Sequence, residues 1–137
     1  MWKWLTALCL AGGIAFAAEP GLTTFPFEEG EITAIQDAPG GMNPAIFSGG
    51  SAETLKQNWK GKNIPSSYNV FLIRKNGKRI LVDAGNGGRK GALTGKLRAL
   101  GIAPEQIDAV LLTHMHGDHI GGLLTSDNKA AFPKARI

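Results

Sequence analysis

The stretch Val110-Leu111-Leu112-Thr113-His114-Met115-His116-Gly117-Asp118-His119 reads as a buried strand that opens into a loop of metal-ligand side chains. Val110, Leu111 and Leu112 form an apolar run without alternation, the pattern of a strand covered on both faces. His114, His116 and His119 are the chain's three histidines, and Asp118 lies among them. His114 and His116 are two apart, so in an extended segment they point the same way and can converge on one cation. Gly117 lets the backbone turn sharply there, which aims Asp118 and His119 as a second pair. Imidazole and carboxylate suit zinc, and the carboxylate also admits Mn2+ or Fe2+. A tight loop at the carboxyl end of a buried strand is also where open α/β sheets place their sites. A lone histidine in a turn would read as a solvated side chain; four ligand types in one short loop read as metal binding.

Upstream, Pro104 opens a short turn, and Leu93, Leu97 and Leu100 share one face at helical spacing, closed by Gly101. Residues 68–74 and 78–83 are two strands separated by Lys75-Asn76-Gly77, and Asn-Gly is the strongest short hairpin signal. The second strand ends in Asp83-Ala84-Gly85-Asn86-Gly87-Gly88, a run expected to be a flexible loop. Residues 52–59 are expected to be a helix closed by Gly61 and a turn at Pro65, and residues 31–36 alternate as a strand. Residues 37–43, with Pro39, Gly40 and Gly41, are expected to be a loop. Downstream, residues 120–124 read as a helix start and residues 132–137 as the beginning of a strand. The order strand, hairpin, helix, buried strand, helix, strand implies a layered α/β fold.

A chain of 137 residues suits one domain. Its net charge of +4 is modest, no run of five basic residues occurs, and aromatics do not interleave with Lys or Arg, so no nucleic-acid partner is expected. Residues 1–18 read as a signal peptide: Lys3, an apolar stretch over residues 5–16, the small-x-small Ala15-Phe16-Ala17, then Glu19-Pro20. That apolar stretch falls short of the roughly 20 residues that span a bilayer. The expectation is a periplasmic or secreted protein with no stable membrane association after removal of the signal. Cys9, the one cysteine, lies in the removed segment, so any metal is held by nitrogen and oxygen. Gly85-Asn86-Gly87-Gly88-Arg89-Lys90 fits neither phosphate-loop spacing, and Trp59 and Phe47 read as packing residues.

The pattern His-x-His-x-Asp-His, preceded by Leu111-Leu112-Thr113 and followed by Ile120-Gly121-Gly122-Leu123, resembles the signature of the metallo-β-lactamase fold. Leu81-Val82-Asp83-Ala84-Gly85 is similar to the strand-ending Asp-x-Gly of that superfamily. Leu100-Gly101-Ile102-Ala103-Pro104-Glu105-Gln106-Ile107-Asp108 resembles its link into the metal strand. Phe132-Pro133-Lys134-Ala135-Arg136-Ile137 resembles the strand after the metal helix and leans toward the organophosphate-hydrolase and lactonase-like branch.

The resemblance covers about residues 31–137 and implies an α/β fold, the N-terminal half of an αββα sandwich, within a domain over residues 19–137. It implies His114 and His116 on a first metal, and Asp118 and His119 on a second. The implied cofactor is Zn2+, two per complete site, with Mn2+ or Fe2+ as possible replacements. A hydroxide held between the metals would attack an ester, lactone, amide or phosphoester in a small-molecule substrate, with Asp118 in the catalytic machinery. Asp83 is implied as a supporting group beside the loop. The family's further histidines and bridging aspartate have no counterpart after His119. The chain is therefore expected to be a truncated N-terminal portion, inactive alone, a weak metal binder and aggregation-prone at its sheet edges. Two alternatives are an iron-dependent oxygenase of the same superfamily and a non-catalytic metal-binding module.

Overall fold

The structure, a computed structural model, describes residues 20–59, 63–88 and 90–137. The expected signal segment with Cys9, and the expected helix stop at Gly61, lie outside the described residues. Among the described residues five strands, β1 (Leu22–Phe27), β2 (Gly30–Met42), β3 (Ile64–Lys75), β4 (Lys78–Val82) and β5 (Ala109–Leu111), form one sheet in chain order. Neighbours are antiparallel except β4 and β5, which run parallel. The short helices α1 (Ala52–Asn58), α2 (Leu93–Ala99) and α3 (Gly117–Ile120) add the helical part of the α/β arrangement among the described residues.

Local chemistry accounts for several elements as expected. Asn76 and Gly77 both take positive φ (51° and 71°), the two-residue turn whose twist matches the flanking strands. Ser51 caps α1 by accepting from the Thr54 N–H at 3.1 Å. Gly101, at φ 72°, ends α2 in the left-handed conformation.

Other expectations are corrected. Residues 37–42 of the expected loop are strand: β2 bulges between Gln36 and Ala38, with Asp37 the extra residue, and pairing with β3 resumes from Ala38↔Tyr68 to Met42↔Ile64. Pro39 is tolerated because β1 pairs no further than Ile35, so β2 is an edge there. β1 itself carried no readable signal. The helix expected at residues 120–124 begins at Gly117 and passes into a 3-10 turn at Gly121–Leu123. Residues 132–137 contribute one parallel bridge, Ala109↔Arg136, in place of a strand. β5 is covered on one face only: Val110 is buried, whereas Leu111 is 54% exposed.

That asymmetry holds across the sheet. On one face Ile35, Val70, Leu72, Leu81 and Val110 pack against Leu93 and Leu97 of α2 and against Ile102, Ile107 and Phe132. On the other, pairing aligns Ile32, Ile73, Ile80 and Ala109 in one row and Ala34, Phe71, Val82 and Leu111 in the next. Phe71 and Leu111 are exposed in that second row, so this apolar face is open.

Candidate metal centre

The parallel pairing of β4 with β5 brings two strand ends, Asp83 and Thr113, side by side. Asp83 leaves β4 at φ 67°, a left-handed conformation that Asp tolerates better than most residues. Its N–H donates to the Leu111 carbonyl at 2.8 Å, and its carboxylate turns toward the next loop. There Oδ1 accepts from the Thr113 N–H at 2.8 Å, and the Thr113 hydroxyl lies 3.0 and 2.8 Å from the two oxygens. Oδ2 lies 2.7 Å from His119 Nδ1. Burial pushes the Asp83 carboxyl up, but the Thr113 N–H, the His119 ring and the Thr113 hydroxyl together bring it below the usual carboxylate value.

This contact decides the form of His119. A carboxylate accepts, so the Nδ1 facing it carries the proton and Nε2 keeps its lone pair. Nε2 in turn faces Asp118 Oδ2 at 3.5 Å. The second pair is as close: His114 Nε2 lies 3.1 Å from His116 Nδ1, with the rings edge to face. The His114 and His119 rings are 3.9 Å apart between centroids, so the pairs adjoin. Two donors each about 2.0–2.1 Å from one tetrahedral ion stand roughly 3.3 Å from each other. Both pairs have that bite, and the donor set fits a divalent ion. Among the described residues no group of three or more His, Cys or acidic side chains gathers at metal-ligand spacing, so the arrangement is one of adjoining pairs.

The loop expected to be flexible, from Asp83 through Gly88, is tied to the ligand loop. Ala84 N–H donates to the His119 carbonyl at 2.7 Å, and Gly122 N–H donates to the Gly85 carbonyl at 3.1 Å. Gly121 and Gly122 are needed here because a Cβ on either would overlap the Asn86 or Ala84 carbonyl.

Two contributors escaped the sequence reading. Thr113 bridges Asp83 to the ligand loop, with no signal beyond its place at the strand end. Asp37 is buried at 1% exposure, and accepts from Asn86 N–H (2.8 Å), Asn86 Nδ2 (3.1 Å) and Leu93 N–H (2.9 Å). Its signal was available: Thr33, Ile35 and Asp37 alternate on one face of β2, and that face is the buried one.

An apolar cavity of about 480 Å³ adjoins the ligand loop at Ile120 and is lined further by Leu123, Leu124, Phe132, Pro133 and Ile137. Phe47 and Trp59 are not among its lining residues. A cavity of about 430 Å³ walled by Glu31, Arg74, Lys78 and Arg79 lies at the opposite end of the sheet, beside the β3–β4 turn.

The model of the metallo-beta-lactamase superfamily matches residues 63–137. Among solved structures, hydrolase AbOPH of the beta lactamase superfamily superposes with a TM-score of 0.74 at 32% identity, over 84% of this chain and 43% of its own. AidC, a dizinc quorum-quenching lactonase, superposes equally well at 30% identity, again over 84% and 43%. Exodeoxyribonuclease WalJ of Streptococcus pneumoniae is 45% identical over 58 residues, 42% of this chain and 21% of the relative. The chain thus spans under half the length of these structures and about a fifth of that relative.

Proposed function

Because the chain belongs to the metallo-β-lactamase superfamily, we propose that the protein is a metal-dependent hydrolase whose ion site is built on His114, His116, Asp118 and His119. The proposed content is two Zn2+ ions, His114 and His116 serving one, Asp118 and His119 the other; Mn2+ or Fe2+ suits the same donors. One observation carries this reading. The 2.7 Å contact between His119 Nδ1 and Asp83 leaves the Nε2 lone pair facing the Asp118 carboxylate, the carboxylate–imidazole support typical of a metal ligand.

When bound, a divalent metal polarises the electrophilic centre and lowers the pKa of water to about 7. The chain's own residues do the rest. Asp83 and Thr113 hold His119 in one tautomer and one orientation. Asp118, half-buried beside His119, is the carboxylate placed to take a proton from the attacking water. The apolar cavity at Ile120 receives the hydrophobic part of a small substrate and keeps water from it. That lining, with the likeness to the lactonase AidC, supports a lactone or ester over a charged polymer. The likeness to WalJ favours a second reading, hydrolysis of a phosphodiester in DNA. Residues 1–18 are proposed as an export signal, which places the protein in the periplasm or outside the cell.

The test is metal analysis of the full-length protein together with turnover on a panel of lactones, aryl esters, phosphotriesters and linear DNA. The expected result is zinc in the purified protein and lactone or ester hydrolysis that His116→Ala abolishes. Iron with oxygen uptake would instead establish an oxygenase, and bound metal without turnover on any substrate a binding module.

A further inference from the structure

We infer that Asp37 is a positioning residue for the ion site, acting on His119 through the Ala84–Asn86 loop; this rests on the metal-site reading above. Asp37 sits on β2, remote in sequence from every proposed ligand, and the mechanism above makes no use of it. It occupies the one place where β2 breaks register with β3, and its side chain lies on the covered side of the sheet with those of Thr33 and Ile35. A buried carboxylate is costly unless its oxygens are satisfied. These are satisfied by the two ends of one loop: Oδ2 takes the N–H and side-chain amide of Asn86, and Oδ1 takes the N–H of Leu93. The Asp37 carbonyl adds a third tie, accepting from Ala92 N–H at 2.8 Å. Gly85 and Gly91 enclose the carboxylate so closely that a Cβ on either would come within 2.6 or 2.8 Å of it. Asp37 therefore holds Asn86 at one end and Leu93 at the other.

The same loop grips the ligand loop on its other side. Its Ala84 N–H holds the His119 carbonyl, its Gly85 carbonyl holds Gly122 N–H, and Gly87 lies against the Gly121 carbonyl. These contacts fix the backbone of α3 and of the turn after it, which carry Asp118 and His119. Asp83 orients the ring of His119, and Asp37 sets where that ring's backbone stands. Asp37→Asn keeps the shape but replaces one acceptor with a donor facing an N–H, so one end of the loop is released.

The experiment is Co2+ titration of the full-length protein, followed by visible absorption, with the unfolding midpoint of each metal-free variant measured in parallel. Asp37→Asn is expected to weaken Co2+ binding by about ten- to a hundredfold and to alter the absorption bands, as loss of an outer support does. Asn86→Ala, which removes the side-chain half of the same link outside the core and keeps the backbone N–H half, is expected to move both readouts in the same direction, by more than about twofold in affinity, and decides the matter if Asp37→Asn fails to fold. Thr33→Ala is the control for stability alone. Thr33 is fully buried on the same face of the same strand, but among the described residues its hydroxyl bonds only to that of Thr24, at 2.9 Å, so its removal should lower the midpoint and leave affinity within about twofold. Binding by Asp37→Asn or Asn86→Ala within twofold of the parent overturns the inference. So does an affinity loss that Thr33→Ala shares. A parent protein that takes up no Co2+ overturns the inference and the metal-site reading together, which separates that failure from the others.

Discussion

Asp83→Asn isolates one carboxylate function at almost constant shape. Asn adopts the left-handed backbone at residue 83 as readily as Asp, so the 67° φ adds no penalty. The amide oxygen can keep the Thr113 N–H, now accepted at 2.8 Å, which puts the amide NH2 where Oδ2 faces His119 Nδ1. Two donors cannot meet there, so Nδ1 must become the acceptor and the proton must move to Nε2. One charge-assisted hydrogen bond of about 2 kcal/mol is lost and a neutral one of about 1 kcal/mol is gained, a net cost of about 1 kcal/mol to the metal-free fold. The cost to metal binding is larger, because the proton now sits on the atom facing Asp118: a loss of about ten- to a hundredfold, or roughly 1.4–2.7 kcal/mol. Long-range 1H–15N correlation spectra of the imidazole read the tautomer directly, and competition with a chelating indicator reads zinc affinity. If His119 keeps Nδ1–H in Asp83→Asn, or if affinity stays within about twofold, the assignment of Asp83 as the group that sets the ring is wrong.

Gly122→Ala should lower metal-free stability by about 1–3 kcal/mol in urea unfolding, since the new Cβ overlaps the Ala84 carbonyl and the two loops must part. Leu97→Ala, removing a fully buried α2 side chain from the core, should cost about 2–5 kcal/mol by the same assay while leaving the site's own hydrogen bonds in place. Asp108 is held below its ordinary pKa of 3.8 by the Lys78 ammonium and then by the Arg79 N–H. Its contribution is thus present above the unfolded value and disappears as pH falls through the lowered folded value. The gap in melting temperature between parent and Asp108→Asn should therefore be widest near about pH 6 and close below about pH 3. A gap independent of pH would refute that assignment.

The parts legible in the sequence were those whose causes are local. Asn76-Gly77 specifies its turn by backbone conformation alone, and Leu93, Leu97 and Leu100 mark α2 by spacing. The crowding of His114, His116, Asp118 and His119 at a strand end needed no partner to be recognised. What stayed hidden depended on partners far along the chain. Residues 38–42 carry Pro39 and two glycines, which argue for a loop, yet ladder pairing with residues 64–68 overrides that preference. β1, with Pro26 and few covered side chains, exists because β2 lies beside it. Leu111 reads as covered because apolar runs usually are, and only the sheet's register shows which way it faces. Gly117 looked like a break and is the first residue of α3. Asp37 was hidden for both reasons, being assigned to a loop and finding its partners 49 and 56 residues away.

The parallel pairing of β4 with β5 has one more consequence, for how the protein could check its own folding. Asp83 reaches Thr113 across thirty residues of chain only because Val82 stands opposite Leu111. Sliding one strand by a single residue, about 3.3 Å, would carry the carboxylate past its partners and turn Leu81 out of the core. The error would leave the ion site without its support at the same moment that the interior lost its packing. Any ion captured there would act as a caliper on the sheet, bound tightly by chains that closed in the right place and poorly by those one notch away.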